Sequence, residues 1–248
     1  MTYQGIDTAA RVSASSAVAL KENGISFVGR YLVPPSMPKF LSYTEAEQIR
    51  STGLAILLIW ESTAERARFG AQAGKDDGTQ ALIIAQSYKI PYDCAIYFAV
   101  DYDAPRSDYA VIEQYLYAAK QAIAPYRIGV YGKSDLINSI KCDCYMQCVA
   151  WSYGAVSAKN NVYQYAWQGD EKAKALANKV GFAVDLDRCD DMKAAGMWLP
   201  PEKSNWYDDA MAWAAETGLM NDGRPLDYVT RAELATVMQR FYNKYINV

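Results

Sequence analysis

Histidine is absent from the 248 residues. A Ser-His-Asp or Cys-His nucleophilic mechanism is therefore excluded, because no imidazole is present to take a hydroxyl or thiol proton. A zinc site that uses histidine is excluded for the same reason. No apolar run approaches the roughly 20 residues that a membrane-spanning helix needs, so no membrane partner is expected. The net charge is −3 and there is no basic block, which argues against a nucleic-acid partner, since that would need a cationic surface. The opening MTYQGID lacks the basic segment and long apolar segment of a secretory signal. Cysteine is scarce and odd in number, with Cys94, Cys142, Cys144, Cys148 and Cys189. The cluster CDCYMQC has no second pair at metal-ligand spacing, so reduced, partly buried thiols are expected. No cofactor and no resident metal is implied, the alternative being a divalent cation held among the acids.

What the sequence does have is acids in a pattern. Apolar, β-branched or aromatic runs finish on carboxylates: YQGIDT on Asp7, LAILLIWE on Glu61, CAIYFAVDYD on Asp101 and Asp103, GFAVDLD on Asp185 and Asp187. Each run reads as a buried strand. A parallel barrel of such strands gathers their ends at one mouth, where barrel enzymes carry their chemistry. Clustered acids without histidine point to carboxylate chemistry, of which glycoside hydrolysis is the commonest kind needing no other residue type. The 20 tyrosines and 6 tryptophans suit sugar stacking as well as core packing.

Eight strands are expected, at Tyr3–Thr8, Ile25–Leu32, Leu54–Trp60, Cys94–Val100, Tyr126–Gly132, Gln147–Tyr153, Val162–Trp167 and Phe182–Asp187. Amphipathic segments separate the early ones. Ser13–Asn23 ends before Gly24, and Asp108–Ile123 ends before Pro125. Capping boxes at Thr44–Glu47 and Ser62–Glu65 mark two further helix starts. This alternation implies an α/β fold, a TIM-like (β/α)8 barrel over residues 1–197. The later connections are short, so the last helices are reduced or missing, and an antiparallel final strand stays open.

The stretch MWLPPEKSN marks a composition break, and residues 198–205 read as a linker. Residues 206–248 read as a small all-α helix-loop-helix module. Trp206, Ala210, Trp213, Ala214 and Thr217 share one helix face, NDGRP is the turn, and Leu234, Val237, Met238, Phe241 and Tyr245 line the second helix. Thr230 and Glu233 form its capping box. A hairpin this small buries too little to be stable by itself, so it is expected to dock on the barrel or make a homo-oligomer, at least a dimer.

Two resemblances follow. The tail, through WYDDAMAWAAETGLM, NDGRPLDY and VTRAEL, resembles a single surface-layer homology (SLH) module, which implies binding to secondary cell-wall polysaccharide. The first 195 or so residues resemble the glycoside-hydrolase-like domain of phage lysins, itself similar to family 25 lysozymes. The carrying motifs are GIDTA, IWE, YFAVDYD, IGVYG, AWSYG, YQYAWQ and AVDLD, in that order. The resemblance implies an endolysin that cuts β-1,4 bonds of peptidoglycan as a muramidase, made in the bacterial cytoplasm without a signal peptide and acting at the wall after release. It matches Asp7 and Asp185 to acids of the family's pocket and Asp101-Tyr-Asp103 to its Asp-x-Glu pair. Tyr131, Trp151 and Gln168 fall where that family lines its sugar cleft. The proton donor expected at the third position of the pair is glutamate, and here it is the shorter Asp103.

Residues two apart on a strand share a face, so Asp101 and Asp103 are both expected to point into the mouth if their strand runs that far. Neighbouring carboxylates resist joint ionisation, which leaves one able to hold a proton. Asp103 is read as the acid, with Asp7, Asp101 and Asp185 as the supporting anionic set and Glu61 as the alternative acid. Arg30 and Lys133 are the cations that could neutralise some of them, and Asp187, Asp190 and Asp191 read as a solvated acidic loop. The alternative function is a catalytically weak or inactive wall-carbohydrate-binding protein.

Overall fold

The computed structural model describes residues 2–201, 213–214, 216–218 and 230–246. Eight strands close into a barrel in the order of the sequence: β1 Tyr3–Asp7, β2 Ile25–Tyr31, β3 Ala55–Trp60, β4 Ala95–Ala99, β5 Arg127–Gly132, β6 Cys144–Gln147, β7 Val162–Ala166 and β8 Asp185–Cys189. The TIM-like α/β expectation holds. β3 (AILLIW) and β4 (AIYFA) are buried at every position, as strands covered on both faces must be. Outward residues such as Val28, Ile56, Leu58, Ile96 and Phe98 pack under the helices. Inward ones such as Phe27, Leu57, Tyr97 and Met146 fill the lumen. The large rings fit because glycine lies beside them: a Cβ on Gly5 would stand 2.2 Å from the Phe27 ring, and one on Gly129 would stand 2.5 Å from that of Tyr97.

Strands β1 to β7 pair in parallel, whereas β8 runs antiparallel to both β7 and β1, with Asp7 opposite Asp185. The connections shrink along the chain. Helices α1 Ala14–Glu22, α2 Tyr43–Ser51, α3 Gly70–Ser87 and α4 Tyr109–Ile123 cover the first half. α5, Ser134–Ser139, has only 6 residues, turns replace a helix between β6 and β7, and α6, Glu171–Val180, precedes β8.

Four boundaries differ from the sequence reading. β6 ends at Gln147, where an expected strand began, because the next segment turns: Trp151 and Tyr153 have φ of 53° and 47°, which no strand accommodates. β8 starts at Asp185 and reaches Cys189, beyond its expected end. The cap of α2 is Ser42, which accepts from the backbone N–H of Glu45; Glu45 itself is taken up by a buried ion pair. A 3₁₀ turn over Arg66–Phe69 separates the Ser62–Glu65 segment from α3. That ion pair joins fully buried Arg30 to fully buried Glu45, Nε to Oε1 at 2.8 Å, while Arg30 Nη1 donates to the Thr8 carbonyl and Glu45 accepts the Val12 N–H. It fastens β2, α2 and the chain leaving β1.

Met197 and Trp198 belong to the barrel base: Trp198 bridges to Ile56 and the Gly196 carbonyl accepts the Ala95 N–H. The chain divides into two compact units, Met1–Pro201 and Glu202–Val248. In the second unit, α7 (Arg231–Tyr245) opens on the expected capping box of Thr230 and Glu233. Trp213 stacks on Tyr245 with ring centres 6.4 Å apart. Trp206, Ala210, the NDGRP turn and Val229 lie outside the described residues. Among the described residues, no helix is long and apolar enough to cross a membrane.

Candidate active site

The C-terminal ends of the parallel strands surround a cavity of about 620 Å³, within the usual range for ligand sites. Four carboxylates line it: Asp7, Glu61, Asp101 and Asp185. Asp7 is the last residue of β1, and its side chain occupies the space over Gly29 of β2, where an added Cβ would come within 2.7 Å of its own Cβ. Glu61 directly follows β3, and Asp101 lies two residues beyond β4, its N–H bonded to the Ala64 carbonyl. Asp185 reaches the same mouth from the opposite chain direction. Because β8 is antiparallel, its first residue stands where the other strands end.

Gln164 of β7 joins two of the acids. Its amide N–H groups donate to Asp7 Oδ2 at 2.8 Å and to Asp185 Oδ2 at 3.1 Å. The backbone N–H of Gln168 donates to the other Asp185 oxygen. Lys39 pairs with Glu61 at 3.0 Å and lies over the Tyr31 ring. Aromatic walls come from Tyr31, Tyr131, Trp151 and Trp167. Trp151 is held in the left-handed region, on a loop pinned by buried Ser152, whose hydroxyl donates to the Cys148 carbonyl and accepts the Ser134 N–H. A bulky residue in that conformation marks a constrained position.

Burial and crowding set the protonation. Asp7 is 6% exposed. Its burial and the charge of Asp185, only partly offset by Gln164, push its carboxyl up to about 7. Burial and the charge of Glu61, against the pull of Lys39, raise Asp101 to about 6. Asp185 is raised by burial, against the Gln168 N–H. The cavity therefore holds protonated and ionised carboxyls side by side near neutral pH, the condition for a general acid beside an anionic stabiliser.

Of the residues singled out in the sequence, Asp7, Asp101, Asp185, Glu61, Tyr131, Trp151 and Gln168 meet in this cavity. Asp103 does not: β4 stops at Ala99, so inward alternation is lost before residue 103. Its side chain is 46% exposed and pairs with Lys133 at the rim, with the Tyr153 hydroxyl 3.4 Å away. Arg30 serves Glu45 and none of the cavity acids. Asp187 is not part of a solvated loop. β8 continues past it, so it faces inward and is fully buried, with neither oxygen hydrogen-bonded. Asp190 lies at the surface and accepts from Thr2.

The sequence reading missed Lys39, Tyr31, Gln164 and Trp167. Gln164 had a signal: in VYQYA, residues 162, 164 and 166 are the buried alternates, and a polar residue there requires a partner. The five thiols are free; burial pushes those of Cys94, Cys142 and Cys148 up to about 12, so they are poor nucleophiles. Among the described residues, no set of three or more acids or cysteines has metal-ligand geometry.

Comparison with known proteins places this barrel. A family model described as Rv2525c-like, glycoside hydrolase-like domain matches residues 18–190, and the chain belongs to that family. The Tat-secreted Rv2525c of Mycobacterium tuberculosis has a similar structure, with a TM-score of 0.66 at 20% identity, covering 79% of this chain and 98% of that one. The catalytic domain of endolysin ply40, from a bacteriophage of Listeria monocytogenes, gives a TM-score of 0.53 at 14% identity, over 78% and 96% of the two chains. The Bacillus subtilis protein FadG is 34% identical over 106 residues, 41% of this chain and 18% of its own. The chain spans about a fifth of the length of the curated relatives it matches.

Proposed function

We propose that this member of the glycoside-hydrolase-like family is a lysozyme-like hydrolase of bacterial cell-wall glycan, cutting β-1,4 bonds of peptidoglycan by carboxylate acid–base catalysis. The observation that carries the reading is the convergence of four carboxylates, two of them raised toward neutrality, on one cavity walled by tryptophan and tyrosine. Asp7 is the buried one of the four, holds its proton up to about 7, and serves as the acid that protonates the leaving glycosidic oxygen. Asp101 and Asp185 supply the negative charge that stabilises the oxocarbenium-like state or aligns the attacking water. Gln164 keeps Asp7 and Asp185 in register. The resemblance of the barrel to an endolysin catalytic domain supports the fold of this reading, and an endolysin reaching the wall after release is its finer form. The tail, as an SLH-like wall anchor, completes it.

One observation favours a second reading, a wall-glycan binder without hydrolysis: Asp103, in the position where the resembled lysozymes carry their donor, is at the rim in an ion pair. Purified Gram-positive cell walls incubated with the full chain separate the two. Soluble fragments with new reducing ends support hydrolysis. Co-sedimentation with walls and no fragments supports the binder, and fragments with new amino termini exclude both.

A further inference from the structure

The cavity gathers more acids than cations to pair with them. Among the described residues, four carboxylates line it, and the cation touching them is Lys39, paired with Glu61. Among the described residues, no lysine or arginine lines the cavity. Gln164 and the Gln168 N–H supply hydrogen bonds to Asp7 and Asp185 but no charge. Below them, one inward position further along β8, lies Asp187, fully buried with both oxygens unpartnered. Asp187 is close enough to feel the charges of Asp7 and Asp185. Among the described residues, five inward carboxyls thus share one lysine.

A sugar bearing a carboxylate or phosphate would add to this repulsion. One bearing an ammonium group would relieve it, because a cation within about 4–6 Å of a carboxylate favours its ionised form. The walls suit a sugar ring as well: Trp167 is 59% exposed at the rim, and Trp151 faces the same space. Resting on the reading of the cavity as a glycan site, we infer that its preferred occupant is a β-1,4 glycan carrying free amino groups, a de-N-acetylated glucosamine unit, and not the fully N-acetylated polymer. The ammonium group would sit against Asp101 and Asp185, the anionic pair, leaving Asp7 its proton, with the ring against the tryptophans.

The test is calorimetric binding of two probes to the full chain, β-1,4-glucosamine oligomers and fully N-acetylated oligomers of equal length. The expected result is at least about tenfold tighter binding of the amino oligomer. That preference should shrink as salt rises, since it is electrostatic. Asp185→Asn should reduce the preference severalfold, while Glu22→Gln, at an exposed residue at the end of α1 where the chain enters the base of β2, should leave it unchanged. Loss of preference in both variants alike would reveal attraction to the overall acidic surface and overturn the inference. Equal or tighter binding of the N-acetylated oligomer would overturn it while leaving the glycan site standing. If neither oligomer binds, the glycan reading falls with it. Walls re-acetylated with acetic anhydride give the parallel measurement: slower release of reducing ends after acetylation supports the inference, and faster release opposes it.

Discussion

Asp7 is the residue on which chemistry and stability pull in opposite directions. Its folded-state carboxyl is raised from 3.8 to about 7, so between those values the folded chain holds a proton that the unfolded chain has released. Stability contributed by this group falls as pH rises through that window, and the penalty is full above about 7. Asp7→Asn removes it. The variant should melt higher at pH 8, on the order of 5 °C, with the gain fading toward pH 4. It should also lose wall-lytic activity by about 10²–10⁴-fold, the usual worth of a placed acid. Calorimetric melts and wall clearing at several pH values check both. The wild-type rate should be greatest between about 6 and about 7, where the set carries both proton and charge. Asp101→Asn should cost at least about a hundredfold, whereas Asp103→Asn should cost less than about tenfold, since its carboxylate faces Lys133 and solvent. A severe Asp103→Asn defect would return the donor role to that residue. The acids themselves were legible because strand ends are readable from apolar runs. Their partners were not: Gln164 meets Asp7, 157 residues away, only through closure of the barrel, and Lys39, on the connection from β2 to α2, meets Glu61 only once β2 and β3 pair side by side.

Elements were legible where local pattern and tertiary packing agree. β3 and β4 stand out as continuous apolar runs, and α4 as an amphipathic one ended by Ala124-Pro125. Agreement failed where a turn is written in side chains that also suit strands. The VAWSYG segment has the composition of β structure, yet its two left-handed residues make a loop that presents Trp151. It failed again at β8, whose direction no local pattern encodes, and that direction decides why Asp185 and not Asp187 reaches the cavity. The buried pair of Arg30 and Glu45 lies beyond sequence reading for a related reason. Glu45 has the spacing of a helix-cap acid, but it is spent on joining α2 to β2 and to the Val12 N–H. Glu45→Ala would strand a fully buried guanidinium. Breaking such a pair from one side costs about 3–5 kcal/mol. Urea unfolding of the variant should show a midpoint lowered accordingly, and a loss below about 1 kcal/mol would mean that Arg30 finds another partner.

At the scale of the whole molecule, the question is what the second unit adds to the first. The barrel unit, Met1–Pro201, has its own lumen, its own outer core and a base closed by Met197 and Trp198. It therefore has what an independent fold requires. The second unit is different. Its described helix α7 has no buried residue, and Leu234, Met238, Phe241 and Tyr245 are all at least 41% exposed. A helix that leaves so much apolar surface in water gains little from its own fold. We propose that a second copy of the same helix covers that face, since a symmetric dimer is the commonest way for one chain to bury a single patch. Truncation after Pro201 should then leave a monomeric barrel that melts within a few degrees of the full chain and still cuts soluble glycan oligomers. The full chain should scatter light as a dimer and sediment with walls more tightly, because two linked binding units hold a polymer better than one. Met238→Glu together with Phe241→Glu should dissociate the dimer without altering oligomer cleavage. A full-length monomer whose truncation binds walls equally well would remove both the dimer and the anchor, leaving the barrel as the sole contact with the wall.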